Sequence, residues 1–166
     1  MTKIVNQQVA GFLRWHDHLL LVAQPGAPGW YLPCGEPRPG ETLDLALQRV
    51  VQQTAGLSVP EPGPLVCVVR LVDMATRDEH MTYLFDVGQW QGTPHGPARP
   101  GSSRTAAEFM PLAEATAELA AQPRPTRREP LLAYLQGDVG PGYVWLYQND
   151  AGQELFITRM FSGSVK

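Results

Sequence analysis

Residues 30–57 read WYLPCGEPRPGETLDLALQRVVQQTAGL, a loop rich in Pro and Gly that runs into a regular apolar pattern. We predict a helix from Glu41 to Ala55, because this stretch has no Gly or Pro and its apolar residues recur with a helical period. Glu41 and Asp44 fall in the predicted first turn, where acidic side chains complement the helix dipole. Gly56 follows the last turn and favours helix termination.

This loop and helix resemble the Nudix box, in which a Gly, a Glu, an Arg followed by glutamates, and a second Gly recur at fixed spacing. Gly35, Glu41, Arg49 and Gly56 occupy the matching positions. The resemblance implies the α/β fold of that family, in which a mixed β-sheet is sandwiched between helices. It also implies a relation to enzymes that hydrolyse derivatives of nucleoside diphosphates.

At the three positions where the family carries metal-binding glutamates, this chain has Val50, Gln53 and Thr54. Glutamates at this spacing share one helix face, and carboxylate oxygens are the ligands that Mg²⁺ prefers. A valine has no donor atom, and an amide or a hydroxyl carries no charge. We therefore expect no metal here, and a protein that binds a nucleotide-like small molecule or a partner without conventional metal-dependent hydrolysis.

The same replacement removes the glutamate that would pair with Arg49 one helical turn away. Glu41 and Asp44 are the nearest acidic residues in the sequence, but both lie upstream of Arg49. We therefore expect neither to replace the missing partner equally, and we expect Glu41 to serve as a hydrogen-bonding group in the loop.

An alternative hypothesis is that hydrolysis persists with carboxylates outside the box. The candidates are Glu41 in the loop, Asp78 and Glu79 in a predicted acidic turn, and Glu108 in a short predicted strand. Each also has a structural interpretation, because acidic residues are common in turns and at helix starts. Under this alternative the cofactor would be Mg²⁺ or Mn²⁺, whereas the first hypothesis expects no cofactor.

Candidate ligand-binding residues are basic or aromatic. Arg14, Arg38 and Arg70 are interpreted as phosphate contacts, and Trp30 as a ring that stacks on a base. The resemblance implies a base bound between a sheet face and loops, so aromatic residues are expected in the pocket. Trp30 is one of five such candidates, of which one or two in all are expected to line the pocket; the other four are Phe12, Trp15, Tyr31 and Trp90.

Elements outside the box are predicted from alternating or helical apolar patterns and from their Gly and Pro boundaries. Val5 to Ala23 predicts a hairpin, and Gly88 to Arg104 predicts a loop. Short strands are predicted at 30–33, 65–73, 82–87 and 108–112, and helices at 112–121 and 129–136. Together they predict a Nudix-like domain over residues 1–140.

The C-terminal residues 141–166 predict an added β-hairpin that packs on the same domain. Two apolar stretches, 143–147 and 154–161, flank the turn sequence Asn149-Asp150-Ala151-Gly152. Because an exposed strand edge can pair with another chain, we expect a homodimer.

Composition excludes several classes of partner. The 166 residues suit one domain, and the net charge of −3 gives no basic excess for binding a nucleic acid polymer. No apolar run approaches the roughly 20 residues that a membrane helix needs. Residues 1–10 do not resemble a secretory signal, so Cys34 and Cys67 are expected as free thiols in a cytoplasmic protein.

Overall fold

The computed structural model describes residues 3–97 and 103–161, and it is organised around one mixed β-sheet. The strands are β1 (Lys3–Trp15), β2 (His18–Ala23), β3 (Cys34–Gly35), β4 (Leu65–Asp73), β5 (Asp78–Val87), β6 (Ala106–Pro111), β7 (Tyr143–Asp150) and β8 (Gln153–Phe161). The helices are α1 (Leu43–Ala55), α2 (Leu112–Ala120) and α3 (Pro125–Leu135). The strand order is β6-β2-β1-β5-β4-β7-β8, with β3 paired to β1.

The helices cover both faces of this sheet. Successive side chains of a strand point to opposite faces, and Phe12 and Leu13 of β1 accordingly belong to two different cores. Phe12 shares its core with Leu119 of α2 and Leu131 of α3, whereas Leu13 shares the other core with Leu47 of α1. The predicted fold, a mixed sheet sandwiched between helices, is confirmed.

The C-terminal hairpin extends the same sheet. β7 runs parallel to β4, and β8 runs antiparallel to β7 from the pair Asp150↔Gln153 to the pair Tyr143↔Phe161. Trp145 and Tyr147 of β7 are buried in the core on the side of α2 and α3. The predicted hairpin is therefore confirmed as an added edge of the sheet.

The predicted start of α1 is wrong by two residues. The helix begins at Leu43, and the side chain of Thr42 caps it by accepting a hydrogen bond from the Leu45 N–H. Threonine is a favoured N-cap because its hydroxyl satisfies a free N–H of the first turn. Glu41 therefore lies in the loop, while Gly56 ends the helix in the left-handed conformation at φ 79°, as predicted.

Other predicted elements also differ. β5 begins at Asp78 rather than at residue 82, so Asp78 and Glu79 lie in a strand and the acidic turn predicted for them is wrong. α3 begins at Pro125 rather than Glu129, because the fixed φ of proline suits the first helical position. No strand forms at 30–33, where Tyr31 makes only an isolated bridge to Val22. Pro33 has no N–H to donate to a ladder, and the short strand β3 follows it.

Residues 88–97 of the predicted loop pack against the end of α1. Gln91 pairs with Ser58 through two backbone hydrogen bonds, and the His95 N–H donates to the Ala55 carbonyl at 2.9 Å. The remainder of that loop at 98–102 lies outside the described residues. None of the helices within residues 3–97 and 103–161 has the length and apolar character that a membrane span requires.

Candidate functional site

Arg49 joins the loop of the box to α1. Its Nε and one Nη donate to the two carboxylate oxygens of Glu41 at 2.9 and 2.8 Å. The same Nη donates to the Glu36 carbonyl at 2.8 Å, and the other Nη donates to Gln53 Oε1 at 3.0 Å. The Arg38 N–H donates to Glu41 at 2.8 Å. One guanidinium thus fixes both the loop and the helix face beside it.

The expectation that Glu41 could not serve equally as the partner of Arg49 is wrong. The loop turns back over the first turns of α1, so a residue eight positions upstream meets the guanidinium in a two-pronged contact. The hydrogen bond from Arg49, followed by that from the Arg38 N–H, lowers the pKa of Glu41 to about 2. Glu41 is therefore an ionised structural carboxylate, consistent with its predicted role in the loop.

Val50 fills the space beside the first glycine of the box. Its side chain is 2 % exposed and belongs to the core beneath α1. A Cβ placed on Gly35 would lie 2.8 Å from Val50 Cγ2, so glycine is required where the loop crosses the helix. The first former glutamate position is occupied by apolar packing.

The other two former glutamate positions are engaged within the helix. Gln53 Oε1 accepts the hydrogen bond from Arg49, and the Thr54 hydroxyl donates to the Val50 carbonyl at 2.8 Å. Among the described residues, no three His, Cys, Asp or Glu side chains are grouped to hold a metal ion. The donor set at 50, 53 and 54 therefore does not fit Mg²⁺, which requires several well-placed oxygen ligands.

The four carboxylates proposed as relocated metal ligands lie on three separate elements: Glu41 in the loop, Asp78 and Glu79 at the start of β5, and Glu108 on β6. Glu41 is bound to Arg49 in the loop, as described above. Glu79 on β5 is 7 % exposed and makes two hydrogen bonds to Arg70, at 2.6 and 2.8 Å. Glu108 on the edge strand β6 lines an apolar cleft with Trp15 and Trp90. The structure does not bring the carboxylates of these three elements together.

Two adjoining cavities open over the sheet, between the box loop and the start of α3. They share Gln8, Tyr31 and Arg127. One of them extends over β4 and β5 and is also lined by Val69, Thr82, Arg124 and Thr126. The other reaches the box loop and is also lined by Cys34, Gly35 and Gln122. We call the two together the α3 cavity.

The α3 cavity is polar and carries positive charge. No described residue that lines it is Asp or Glu. Of the two arginines that line it, Arg124 is ion-paired with Glu154, so the positive charge of the cavity comes from Arg127. The Arg127 guanidinium lies over the Tyr31 ring, 5.1 Å from its centroid. Burial raises the pKa of Tyr31 and of Cys34, so both groups stay protonated. The arrangement favours an anionic ligand and offers a phenol and a thiol as hydrogen-bond donors.

The ligand-binding residues predicted from the sequence lie elsewhere. Arg14 is exposed and lies 3.9 Å from Asp86, and Arg38 is exposed in the box loop. Arg70 is paired with Glu79, as described above. Trp30 packs against the core, and its carbonyl accepts a hydrogen bond from Gln122. None of these four lines the α3 cavity, and their role in binding stays a prediction.

Sequence reasoning found Tyr31 as an aromatic candidate but missed Arg124 and Arg127. Their signal was the Pro123-Arg124-Pro125 sequence, because proline at the first helical position places the next residues in the first turn. A helix start at Glu129 leaves these arginines in the segment between the two predicted helices, outside any regular element.

A model of the NUDIX domain matches residues 6–134 of the chain. The chain belongs to the Nudix family. A MutT protein from Bacillus halodurans has the same fold, with a TM-score of 0.70 and 16% identity over 94% of this chain and 97% of that one. The NUDIX domain of Shewanella oneidensis NrtR, solved in complex with ADP ribose, superposes with a TM-score of 0.60 at 19% identity, over 82% and 89% of the two chains.

A curated relative of this Nudix chain is the human 8-oxo-dGDP phosphatase NUDT18, which is 42% identical over 67 residues. The match covers 34% of this chain and 21% of the human protein. It therefore supports membership of the nucleoside diphosphate derivative hydrolase superfamily. The matched region spans only about a fifth of the length of the human protein.

Proposed function

We propose that this chain is a Nudix-fold domain that binds a small nucleotide-like anion and lacks the conventional metal-dependent hydrolysis of its family. The second half of the proposal is supported by the contacts that the side chains at positions 50, 53 and 54 make. Val50 packs in the core, Gln53 accepts from Arg49, and Thr54 donates to the helix backbone. These side chains leave no carboxylate on the helix face where the family binds its metal.

The α3 cavity supports the first half of the proposal. A nucleotide combines negatively charged phosphates with a flat base, and the cavity offers the Arg127 guanidinium, the Tyr31 ring and the Gln8 amide. Arginine is well suited to phosphate because its planar fork donates two parallel hydrogen bonds. ADP ribose and 8-oxo-dGDP are suitable probes, because related proteins are described with these molecules.

A hydrolysis assay tests the loss of metal chemistry. The pure protein is incubated with ADP ribose or 8-oxo-dGDP and Mg²⁺ or Mn²⁺, and release of monophosphate is followed. We expect no metal-dependent turnover by the wild type. The companion variant Val50→Glu/Gln53→Glu/Thr54→Glu restores the three carboxylates, and Leu45→Glu/Gln52→Glu/Ser58→Glu adds three at exposed positions as a matched control.

The outcomes of this assay separate the two hypotheses. Turnover that appears only in the variant with restored carboxylates would attribute the inactivity to positions 50, 53 and 54. Turnover by the wild type would contradict the proposal. If that turnover were lost in Glu108→Gln or Glu79→Gln, catalysis with relocated carboxylates would be favoured.

Calorimetry without added metal tests ligand binding in the α3 cavity. We expect ADP ribose to bind the wild type and Arg127→Ala to weaken the affinity by about ten- to a hundredfold, since a lost charge-assisted hydrogen bond is worth about 1.5–3 kcal/mol. Arg77→Ala is the matched control, because Arg77 is exposed and lies outside the cavity. Arg38→Ala tests the phosphate contact predicted from the sequence. A larger loss of ADP ribose affinity in Arg38→Ala than in Arg127→Ala would instead place the binding site at the box loop.

We also propose that the chain forms a homodimer through β8, and that it resides in the cytoplasm. β8 is an edge strand, and its exposed apolar side chains support self-association; they are Leu155, Phe156, Ile157, Met160 and Phe161. Light scattering on the wild type and on Ile157→Lys tests the dimer, and a monomeric wild type would contradict it.

Cys34 and Cys67 are free thiols, which agrees with a reducing compartment.

A further inference from the structure

The helix α3 does not cap its own start. Arg124 occupies the N-cap position and makes no side-chain capping hydrogen bond, and Pro125 at the first helical position has no N–H. The first free N–H of the helix therefore belongs to Thr126. Free N–H groups in a first turn need a partner from elsewhere in the protein or from water.

Glu154 of β8 supplies that partner from the C-terminal hairpin. One of its oxygens accepts hydrogen bonds from the Thr126 N–H at 3.0 Å and from the Thr126 hydroxyl at 2.7 Å. The other oxygen accepts from Arg124 Nε at 2.6 Å. The Glu154 side chain is only 7 % exposed. A carboxylate at this place also complements the positive end of the helix dipole.

Glu154 is held in its charged form by these contacts. Burial by itself raises the pKa of Glu154, but the hydrogen bonds from Thr126 and Arg124 outweigh it, so the pKa is lowered overall. A second contact joins the same two elements, because the Tyr147 hydroxyl on β7 donates to Glu129 of α3 at 2.8 Å. The hairpin thus binds the first turns of α3 at two points.

The residues that Glu154 holds belong to the wall of the α3 cavity. Arg124 and Thr126 contact Glu154 directly and also line the cavity. Arg127 is the next residue in the same turn, and its guanidinium lies over Tyr31. If the first turn of α3 lost its cap, all three cavity residues would become mobile together.

We propose that Glu154 is a positioning residue for the ligand cavity, so that the C-terminal hairpin sets the affinity of the site by fixing the first turn of α3. Glu154 acts through Arg124 and Thr126 and does not itself line the α3 cavity. The ligand part of this inference rests on the proposed function, whereas the ordering of α3 by the hairpin stands independently of any ligand.

The test compares Glu154→Ala and Glu154→Gln with Gln153→Ala, an exposed neighbour on the same strand. Hydrogen exchange of the amides at 126–129 and calorimetry with ADP ribose are measured for each variant. In Glu154→Ala we expect exchange about tenfold faster at 126–129, and affinity about tenfold weaker, as expected for loss of a helix cap. Exchange in α1 and the behaviour of Gln153→Ala should match the wild type.

Glu154→Gln separates positioning from simple loss of stability. Its amide oxygen can still accept from Thr126, so we expect a partial rescue of both readouts relative to Glu154→Ala. Unchanged exchange at 126–129 in Glu154→Ala would overturn the inference. Tighter ADP ribose binding in Glu154→Ala would also overturn it, because it would show that Glu154 masks Arg124 instead of positioning it.

Failure of the proposed function has a different signature. If the wild type does not bind ADP ribose, the proposal that the cavity takes this class of ligand fails for that probe. The exchange data at 126–129 then still decide whether Glu154 orders the first turn of α3.

Discussion

Different contacts stabilise the two halves of the Nudix box in this protein. The loop half comprises residues 35–42 together with Arg49, which binds them from α1, and the helix half comprises positions 50, 53 and 54. In the loop half, Glu41 and Arg49 form a two-pronged ion pair that also holds the Glu36 carbonyl. In the helix half, Val50 lies in the core and Thr54 bonds to the helix backbone. The loop half therefore keeps its polar network, while the helix half contributes apolar packing and internal hydrogen bonds.

This difference shows that the shape of the box does not depend on the metal-binding carboxylates. The loop is fixed by Arg49 and by the close approach of Gly35 to Val50, neither of which needs a metal. A chain can thus keep the Nudix fold after losing the glutamates, because the fold and the metal site use different residues of one helix.

The largest expected effect follows from placing a charge in the helix half. Val50→Glu should lower the free energy of unfolding by about 3 kcal/mol, because an unpaired carboxylate would replace a buried valine. Leu45→Glu is the matched control on the same helix, since Leu45 is 56 % exposed; its change should stay within about 0.5 kcal/mol. Urea unfolding measures both, and equal effects would contradict the packing role of Val50.

The next effect concerns the loop half. Arg49→Ala removes the contacts to Glu41, Glu36 and Gln53 together and should lower the melting temperature by several degrees. Arg49→Lys should recover only part of the loss, because an ammonium cannot reproduce the two-pronged contact of a guanidinium. Thermal unfolding followed by circular dichroism measures the melting temperatures of the wild type and the two variants. If Arg49→Lys equals the wild type, the two-pronged geometry is not what holds the loop.

A smaller effect appears on acidification. The pKa of Glu41 is lowered to about 2 by Arg49 and the Arg38 N–H, so its contribution to stability is complete above the ordinary carboxyl range. That contribution should fade as the pH drops from the ordinary value of 4.5 towards 2. Urea unfolding of the wild type and Glu41→Gln at neutral and acidic pH should therefore give a difference that shrinks in acid. A constant difference would show that Glu41 acts without its charge.

The smallest effect is expected at Thr54. Its hydroxyl donates to the Val50 carbonyl within the same helix, and such local bonds add little to helix stability. Thr54→Val should change the free energy of unfolding by less than about 0.5 kcal/mol and leave ADP ribose affinity unchanged. A marked loss of ADP ribose binding in calorimetry would instead assign Thr54 to a ligand site.

Sequence reasoning predicted the box helix and the hairpin because both depend on local patterns. Gly56 after an apolar helical pattern and the Asn149 to Gly152 turn are signals that adjacent residues carry. The pairing of Arg49 with Glu41 was missed, because it depends on how the loop turns back over the helix. The contact of Glu154 with Thr126 joins residues 28 positions apart in different elements, and no local pattern reports it.

The candidate site was predicted only in part for the same reason. The absence of glutamate at positions 50, 53 and 54 can be read directly from the spacing of the box. The α3 cavity is assembled from β1, the loop at Tyr31 and the start of α3, so its lining depends on tertiary packing. Arg127 meets Tyr31 there, although nearly a hundred residues separate them in the sequence.

The most direct test of the central claim is a titration of Mn²⁺ followed by electron paramagnetic resonance, with and without ADP ribose. We expect the wild type to leave the signal of free Mn²⁺ as it is in the same mixture without protein, whereas Val50→Glu/Gln53→Glu/Thr54→Glu should reduce it. Stoichiometric Mn²⁺ binding by the wild type that is abolished in Gln53→Ala/Thr54→Ala would contradict the claim that the box has lost its metal site.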